Sequence, residues 1–216
     1  MATVVRSFAI QGIDGYPVDI EIKMLEGQPS ISIIGLGDQA VKEAAERIQA
    51  AIDESGYVFP KKRVIISLAP SDKKKSGSHF DLAMAVGVLC QNGDIGVKKL
   101  PDYGFIGELS LDGRLRVCRG ILPMIIAGQK RGIKKIIVPE ANFKEASLVH
   151  GVEILGFYDL TGVIRYLEGK TTGIETHMEE NEKILEESER ILDFKDVKGQ
   201  DELIAVSYTH LRAHET

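Results

Sequence analysis

Apolar residues near the N-terminus recur at every second position, the period of a half-buried strand. Val4–Ile10, the alternating run Val18-Asp19-Ile20-Glu21-Ile22, and Ile31–Ile34 predict three strands, separated by turns at Gly12–Gly15 and at Glu26-Gly27-Gln28-Pro29. The period then lengthens to that of a helix. Val41, Ala44, Ala45, Ile48, Ala51 and Ile52 share one face, Asp38 stands where an N-cap belongs, and Gly56 ends the pattern. Val64–Leu68 predicts a buried strand. Ser78 and Asp81, three apart, predict a capping-box-like start for an apolar helix running through Leu82, Val86 and Leu89 to Asn92-Gly93.

Further on, Phe105–Leu111 and Arg114–Val117 flank Asp112-Gly113, a dipeptide preferred in tight hairpin turns that need positive φ. A helix over Gly120–Arg131, a strand at Ile136–Val138, a short helix, a strand at Val152–Leu155 and a helix ending at Leu167 follow. An early meander followed by strand–helix alternation predicts an α/β domain with a mixed sheet over residues 1–168. Residues 169–190 read as an acidic linker, flexible or singly helical.

Composition narrows this picture. The 216 residues, 44% hydrophobic, suffice for one core and a tail. No apolar run reaches the ~18 residues of a membrane span, and Met1-Ala-Thr-Val opens into a strand instead of a signal peptide. Cys90 and Cys118 sit in apolar surroundings far apart in sequence, as buried thiols in a reducing, cytoplasmic setting would. A net charge of −5, with acid concentrated in Glu175–Glu189, argues against a globally basic nucleic-acid binder.

Three short stretches invite a phosphate. Gly35-Leu36-Gly37-Asp38-Gln39-Ala40 follows a strand and opens a helix as G-x-G-x-x-A, yet the next strand carries no acid at its tip to hold a ribose, so a tight turn is the better reading. Gly169-Lys170-Thr171 imitates the end of a phosphate loop, but Ile164 stands where the first glycine is required. Lys73-Lys74-Lys75, just ahead of the Ser78 helix start, is a candidate anion-binding loop. His79, His150 and His177 show no metal-ligand spacing, so neither a metal nor a porphyrin site is expected.

Longer segments carry a family resemblance. GIDGYPVDIEI, SIIGLGDQAVKEAAERIQAAI, Leu68–Leu82 and Gly107–Pro123, together with LDFKDVKGQ at Leu192–Gln200, resemble magnesium-chelatase-like AAA+ proteins of the YifB/ComM type from Ala2 to about Ile204. The resemblance implies a ChlI-type N-terminal domain similar to the Lon protease domain, with the fold shared by the second domain of a ribosomal protein. It also implies that residues 191–205 begin an ATPase domain, with Val197, Gly199 and Gln200 on the adenine side. The phosphate loop would lie beyond, so no cofactor is expected in this chain, while ATP and Mg2+ are implied for the parent.

Setting Met84-Ala85 and Gly113–Pro139 against the Lon pattern puts His79 at the serine position and Met124 at the lysine position. Methionine cannot accept a proton, so the resemblance implies a protease fold without the Ser/Lys chemistry. The implied parent is a hexameric ring that spends ATP on DNA branch migration during recombination of transforming DNA. This domain would pack subunits or face DNA through Lys73, Lys74, Lys75, Arg114, Arg116 and Arg119. Two alternatives are a residual Ser/Lys peptidase using Ser78 and a chelatase-type remodelling of a protein partner.

Residues 206–216 stand apart. Val206–Thr216 has no apolar period and back-translates in frame to a transposon-end sequencing adapter. It is expected to be read-through, and His210 and His214, although spaced i and i+4, are not expected to bind metal.

Overall fold

The first strand, β1 (Thr3–Gln11), turns directly into β2 (Asp14–Leu25), and the two pair antiparallel over nine positions from Thr3↔Ile22 to Gln11↔Asp14. The pairing makes β2 far longer than its alternating core of Val18–Ile22, because Gly12 and Ile13 alone form the turn. This computed structural model describes residues 2–96, 100–171 and 174–175, all within the compact unit Met1–Thr176.

After β3 (Ser30–Ile34) come α1 (Gln39–Glu54), β4 (Arg63–Ala69), α2 (Asp81–Asn92) and β5 (Tyr103–Phe105). A small ribbon, β6 (Glu108–Leu109) with β7 (Leu115–Arg116), leads to α3 (Ile121–Lys130), β8 (Lys135–Pro139), α4 (Phe143–Ala146), β9 (Glu153–Phe157), α5 (Leu160–Leu167) and β10 (Ile174–Glu175). The main sheet has eight strands in the order β10-β9-β8-β5-β1-β2-β4-β3, and the ribbon forms a separate sheet. The α/β mixed-sheet expectation holds. The early meander does not: β4 pairs antiparallel with β2 and parallel with β3, so β3 is displaced to the sheet edge. The α1 crossover makes this possible, since a parallel β3–β4 pair needs a connection that returns the chain to its starting end. Ile174–Glu175, inside the stretch read as linker, pairs antiparallel with β9.

The two faces of the sheet bury different sets. Val5, Ala9, Val18, Ile20, Ile22, Val64, Ile66 and Leu68 join a core filled by α1, α2 and α5. Phe8 points the opposite way, into a second core with Ile106, Ile121, Met124, Ile125, Ile136 and Ile154. The result is three layers, helix–sheet–helix, as strand alternation requires when both faces are apolar. Burying each large aliphatic chain contributes roughly 1.5–3 kcal/mol. α2 is apolar on every side because α1 covers what the sheet leaves open, and Leu82 to Leu89 are all buried. Between β1 and β5 the register holds at one position, Arg6↔Gly104, and the Phe8 ring lies over Gly104 so closely that a Cβ there would come within 2.6 Å of Cε2.

The hairpin turn differs from its expected form. Gly113 N–H donates to the Ser110 carbonyl and Ser110 N–H to that of Arg114, so the turn is Ser110–Gly113 with Leu111 and Asp112 at its centre. Gly113 alone has positive φ, +78°. Asp112 instead keeps an ordinary backbone and accepts from the Arg114 Nε at 2.6 Å.

Candidate functional site

The lysine run divides into three roles. The glycine turn after β3 is stitched to the loop after β4: Lys75 N–H donates to Leu36 O at 3.0 Å, and Asp38 N–H to Lys75 O at 2.9 Å. The Asp38 carboxylate caps α1 through Val41 N–H at 3.0 Å, as the sequence predicts, and also accepts from Gly77 N–H at 3.2 Å. Asp38 N–H at the head of α1 is therefore already bonded and its carboxylate stands where a phosphate would, which favours the tight-turn reading of Gly35–Ala40. Lys75 itself is 0% exposed, with its ammonium donating to Gly35 O at 3.0 Å and to Pro70 O. Burial pushes its pKa down, partly opposed by Asp72. Lys75 is thus a staple between two loops, which corrects its expected role as a phosphate contact. Lys75→Met should destabilise the fold by about 1–3 kcal/mol in urea titration, because two buried carbonyls lose their donor. A loss under about 0.5 kcal/mol would show that water replaces the ammonium freely.

The start of α2 is organised by charge, not by a serine cap. Phe80 occupies the cap position without a side-chain bond, and the Ser78 hydroxyl donates to the Glu108 carboxylate. The Ser78 capping expectation fails because α2 begins at Asp81 with Phe80 in the cap position, which leaves Ser78 two residues upstream, where its hydroxyl donates to Glu108 of the β6–β7 ribbon. Asp81, 0% exposed, is gripped by Arg47 of α1 through Nε at 2.7 Å and Nη2 at 3.0 Å, and accepts from Leu109 N–H at 3.3 Å. Arg47 Nη2 also donates to Ala40 O at 2.9 Å. One carboxylate thereby ties α1, α2 and the ribbon together. Burial pushes the Asp81 pKa up to about 6, against the opposing pull of Arg47 and the Leu109 amide.

Beside this network a cleft of about 430 Å³ is lined by Ile10, Gly77, Ser78, His79, Glu108 and Arg119, among others. His79 is half-buried, and its Nε2 sits 2.9 Å from the Phe8 carbonyl. A carbonyl accepts only, so Nε2 carries the proton of a neutral ring, consistent with burial lowering the His79 pKa. Met124 is fully buried in the second core on α3.

The remaining candidates scatter. Arg114 is held by Asp112 and reaches the Tyr158 hydroxyl at 3.4 Å, while Arg116 pairs with Glu108 at 3.4 Å. Both guanidinium charges are locally answered, which weakens their expected role toward phosphate. Arg119 is exposed at the cleft and has no ion pair among the described residues. Lys74 is exposed, and its carbonyl accepts from the Tyr16 hydroxyl at 3.2 Å. Lys73 lies elsewhere, its ammonium 4.6 Å above the Tyr16 ring, in a second cleft shared with Arg6 and Arg131. The sequence reading missed Arg6, Tyr16, Arg131, Arg47 and Asp81. Only Asp81 gave a local signal, an acid flanked by apolar helix positions. Val197, Gly199, Gln200, His210 and His214 lie outside the described residues.

Comparison with known proteins places these features. Residues 20–142, more than half of the chain, match the model for subunit ChlI of Mg-chelatase. The chain belongs to this ChlI family. It is 32% identical to competence protein ComM of Haemophilus influenzae over 91% of its own length and 39% of that protein's. To YifB of Escherichia coli it is 35% identical, over 93% of its length and 38% of the relative's. A Lon protease of Rhizobium meliloti is 26% identical over 66% of this chain and 18% of the protease. The chain thus spans little more than a third of the ComM and YifB relatives. The ChlI match takes in the glycine turn, Lys73–Lys75, the Arg47–Asp81 pair and the ribbon, whereas Arg6 and Tyr16 lie before it. No helix among the described residues is long and apolar enough to cross a membrane, and no cluster of three or more His, Cys, Asp or Glu side chains among them suits a metal.

Proposed function

We propose that this ChlI-family domain is a non-catalytic accessory domain of a cytoplasmic AAA+ ATPase of the ComM/YifB type. In this reading the parent assembles as a hexameric ring and uses ATP and Mg2+ for branch migration of DNA. The observation that carries the non-catalytic part is the cleft beside α2. Its serine hydroxyl is engaged by a carboxylate that already pairs with Arg116, its imidazole gives Nε2–H to a backbone carbonyl, and no lysine lines it. Lys75, nearest in sequence, is committed to two carbonyls, and the Met124 thioether is shut in the core. A serine nucleophile needs a base that can take its proton, and a neutral amine is absent from the lining. The Gly35–Ala40 turn does not favour a nucleotide either, since Asp38 N–H is bonded to the Lys75 carbonyl and the Asp38 carboxylate occupies the head of α1.

Two measurements test this. A fluorophosphonate probe should leave Ser78 unlabelled, and a fluorogenic casein digest should proceed no faster with the chain than with its Ser78→Ala variant. Calorimetric titration with Mg-ATP should show no saturable heat. Serine-dependent cleavage would replace the accessory reading with a peptidase, and tight ATP binding would place a nucleotide site in this chain.

A further inference from the structure

Arg6 on β1, Lys73 on the loop after β4 and Arg131 at the end of α3 come from three distant parts of the chain and line one cleft of about 430 Å³. Tyr16, Pro17, Ala69 and Pro70 also line it together with Asp19, the one acid there, while Phe8 and Ile133 lie buried beneath. The β1–β2 register builds the notch: Arg6↔Asp19 and Phe8↔Pro17 place these four side chains on the sheet face that α3 covers only in part. Low-dielectric walls concentrate the field of the cations between them.

Two of the three cations are held in place. Lys73 rests on the Tyr16 ring, and that ring is fixed by its hydroxyl bond to Lys74 O. Arg6 is anchored by the Pro101 carbonyl at 3.1 Å and by Asp19 at 3.4 Å, so Asp19 answers one positive charge. Lys73 and Arg131 have no ion pair among the described residues, although Asp72 lies close enough to act on Tyr16. Lys73 and Arg131 thus face one cleft, without an ion pair among the described residues, in a chain whose net charge is −5.

We propose that this cleft seats backbone phosphates of a nucleic acid strand, with Lys73 and Arg131 on phosphate oxygens. Phosphate contacts of this kind position a strand without reading its sequence. The choice of polymer rests on the nucleic-acid reading of the parent, while the arrangement of cations stands without it.

The test is anisotropy of a fluorescein-labelled oligothymidylate with the full chain, titrated at several salt concentrations. The wild type should bind at low salt, and the K73A/R131A double variant should bind about tenfold more weakly, with its salt slope flattened by about 1.4, the value for two single-strand phosphates. Both side chains reach solvent, so circular dichroism should show the variant folded, and K73Q/R131Q should repeat the loss. Arg114→Ala, whose guanidinium belongs to Asp112, should bind as the wild type does. Equal affinity and slope in the double variant would overturn the cleft yet leave the DNA reading standing. Displacement by inorganic pyrophosphate at matched phosphate concentration would reassign the cleft to a free phosphate ligand and overturn the polymer assignment. No binding by the wild type at low salt would overturn the proposal outright. The parent's reading would then be judged separately, by DNA stimulation of its ATPase.

Discussion

Arg47→Ala should remove about 3–5 kcal/mol of stability at about pH 8, the cost of leaving a buried charge without its partner. Asp81 is wholly enclosed, and the two Arg47 bonds are what make its ionised form tolerable beside the apolar run of α2. The effect should depend on pH with a definite sign. The folded pKa of Asp81 is raised from 3.8 to about 6, so the folded domain binds the extra proton in that window. Its favourable contribution is complete below about pH 3.8 and is lost as pH rises through about 6. The arginine variant should therefore lose most at alkaline pH and least near pH 5, where a protonated Asp81 needs no counter-charge. Asp81→Asn should flatten this segment of the profile. Urea midpoints across the range decide the matter: a pH-independent loss below about 1 kcal/mol would mean the pair behaves as an ordinary surface bridge.

Gly35→Ala should be nearly as damaging. Gly35 has φ of +110°, and a Cβ there would sit inside the Leu68 carbonyl oxygen, a backbone atom that cannot turn aside. Strain at such a dihedral costs of order 1–3 kcal/mol, and displacing a packed strand costs about as much again. A loss of about 3 kcal/mol or more in thermal unfolding is expected. Gly113→Ala is the matched control. It has φ of +78°, but its Cβ would find Ser55 Oγ at 3.5 Å, an ordinary contact. It should cost only the dihedral term, about 1 kcal/mol. Equal losses at the two positions would remove the Leu68 contact from the explanation.

Local elements were legible because their signals are local. Alternation in Val18–Ile22 marked a strand, and Asp38 marked a helix start whose bond to Val41 the structure shows. Strand order was not legible, because nothing in Ile31–Ile34 says that Arg63–Ala69 will take its place beside β2. Lys75 was misjudged for a similar reason. Three adjacent lysines look equally solvated until the glycine turn closes over one of them and presents carbonyls to it. The Ser78 reading followed a pattern that is sound for an isolated helix, but Glu108, thirty residues later, took the hydroxyl. The Lys73 cleft gathers residues 6, 16, 73 and 131, and no spacing rule links positions that meet only through sheet register and a helix end.

The single register position between β1 and β5 has a mechanical corollary. Nine paired positions weld β1 to β2, whereas the join to β5 relies on one position and on the Phe8 ring clamped over Gly104. The seam is thin in the sheet alone, because α3 packs across it onto β1 and β2 and Asp81 ties α2 to the ribbon. Amide protons along that line should exchange with solvent before those shared by β1 and β2.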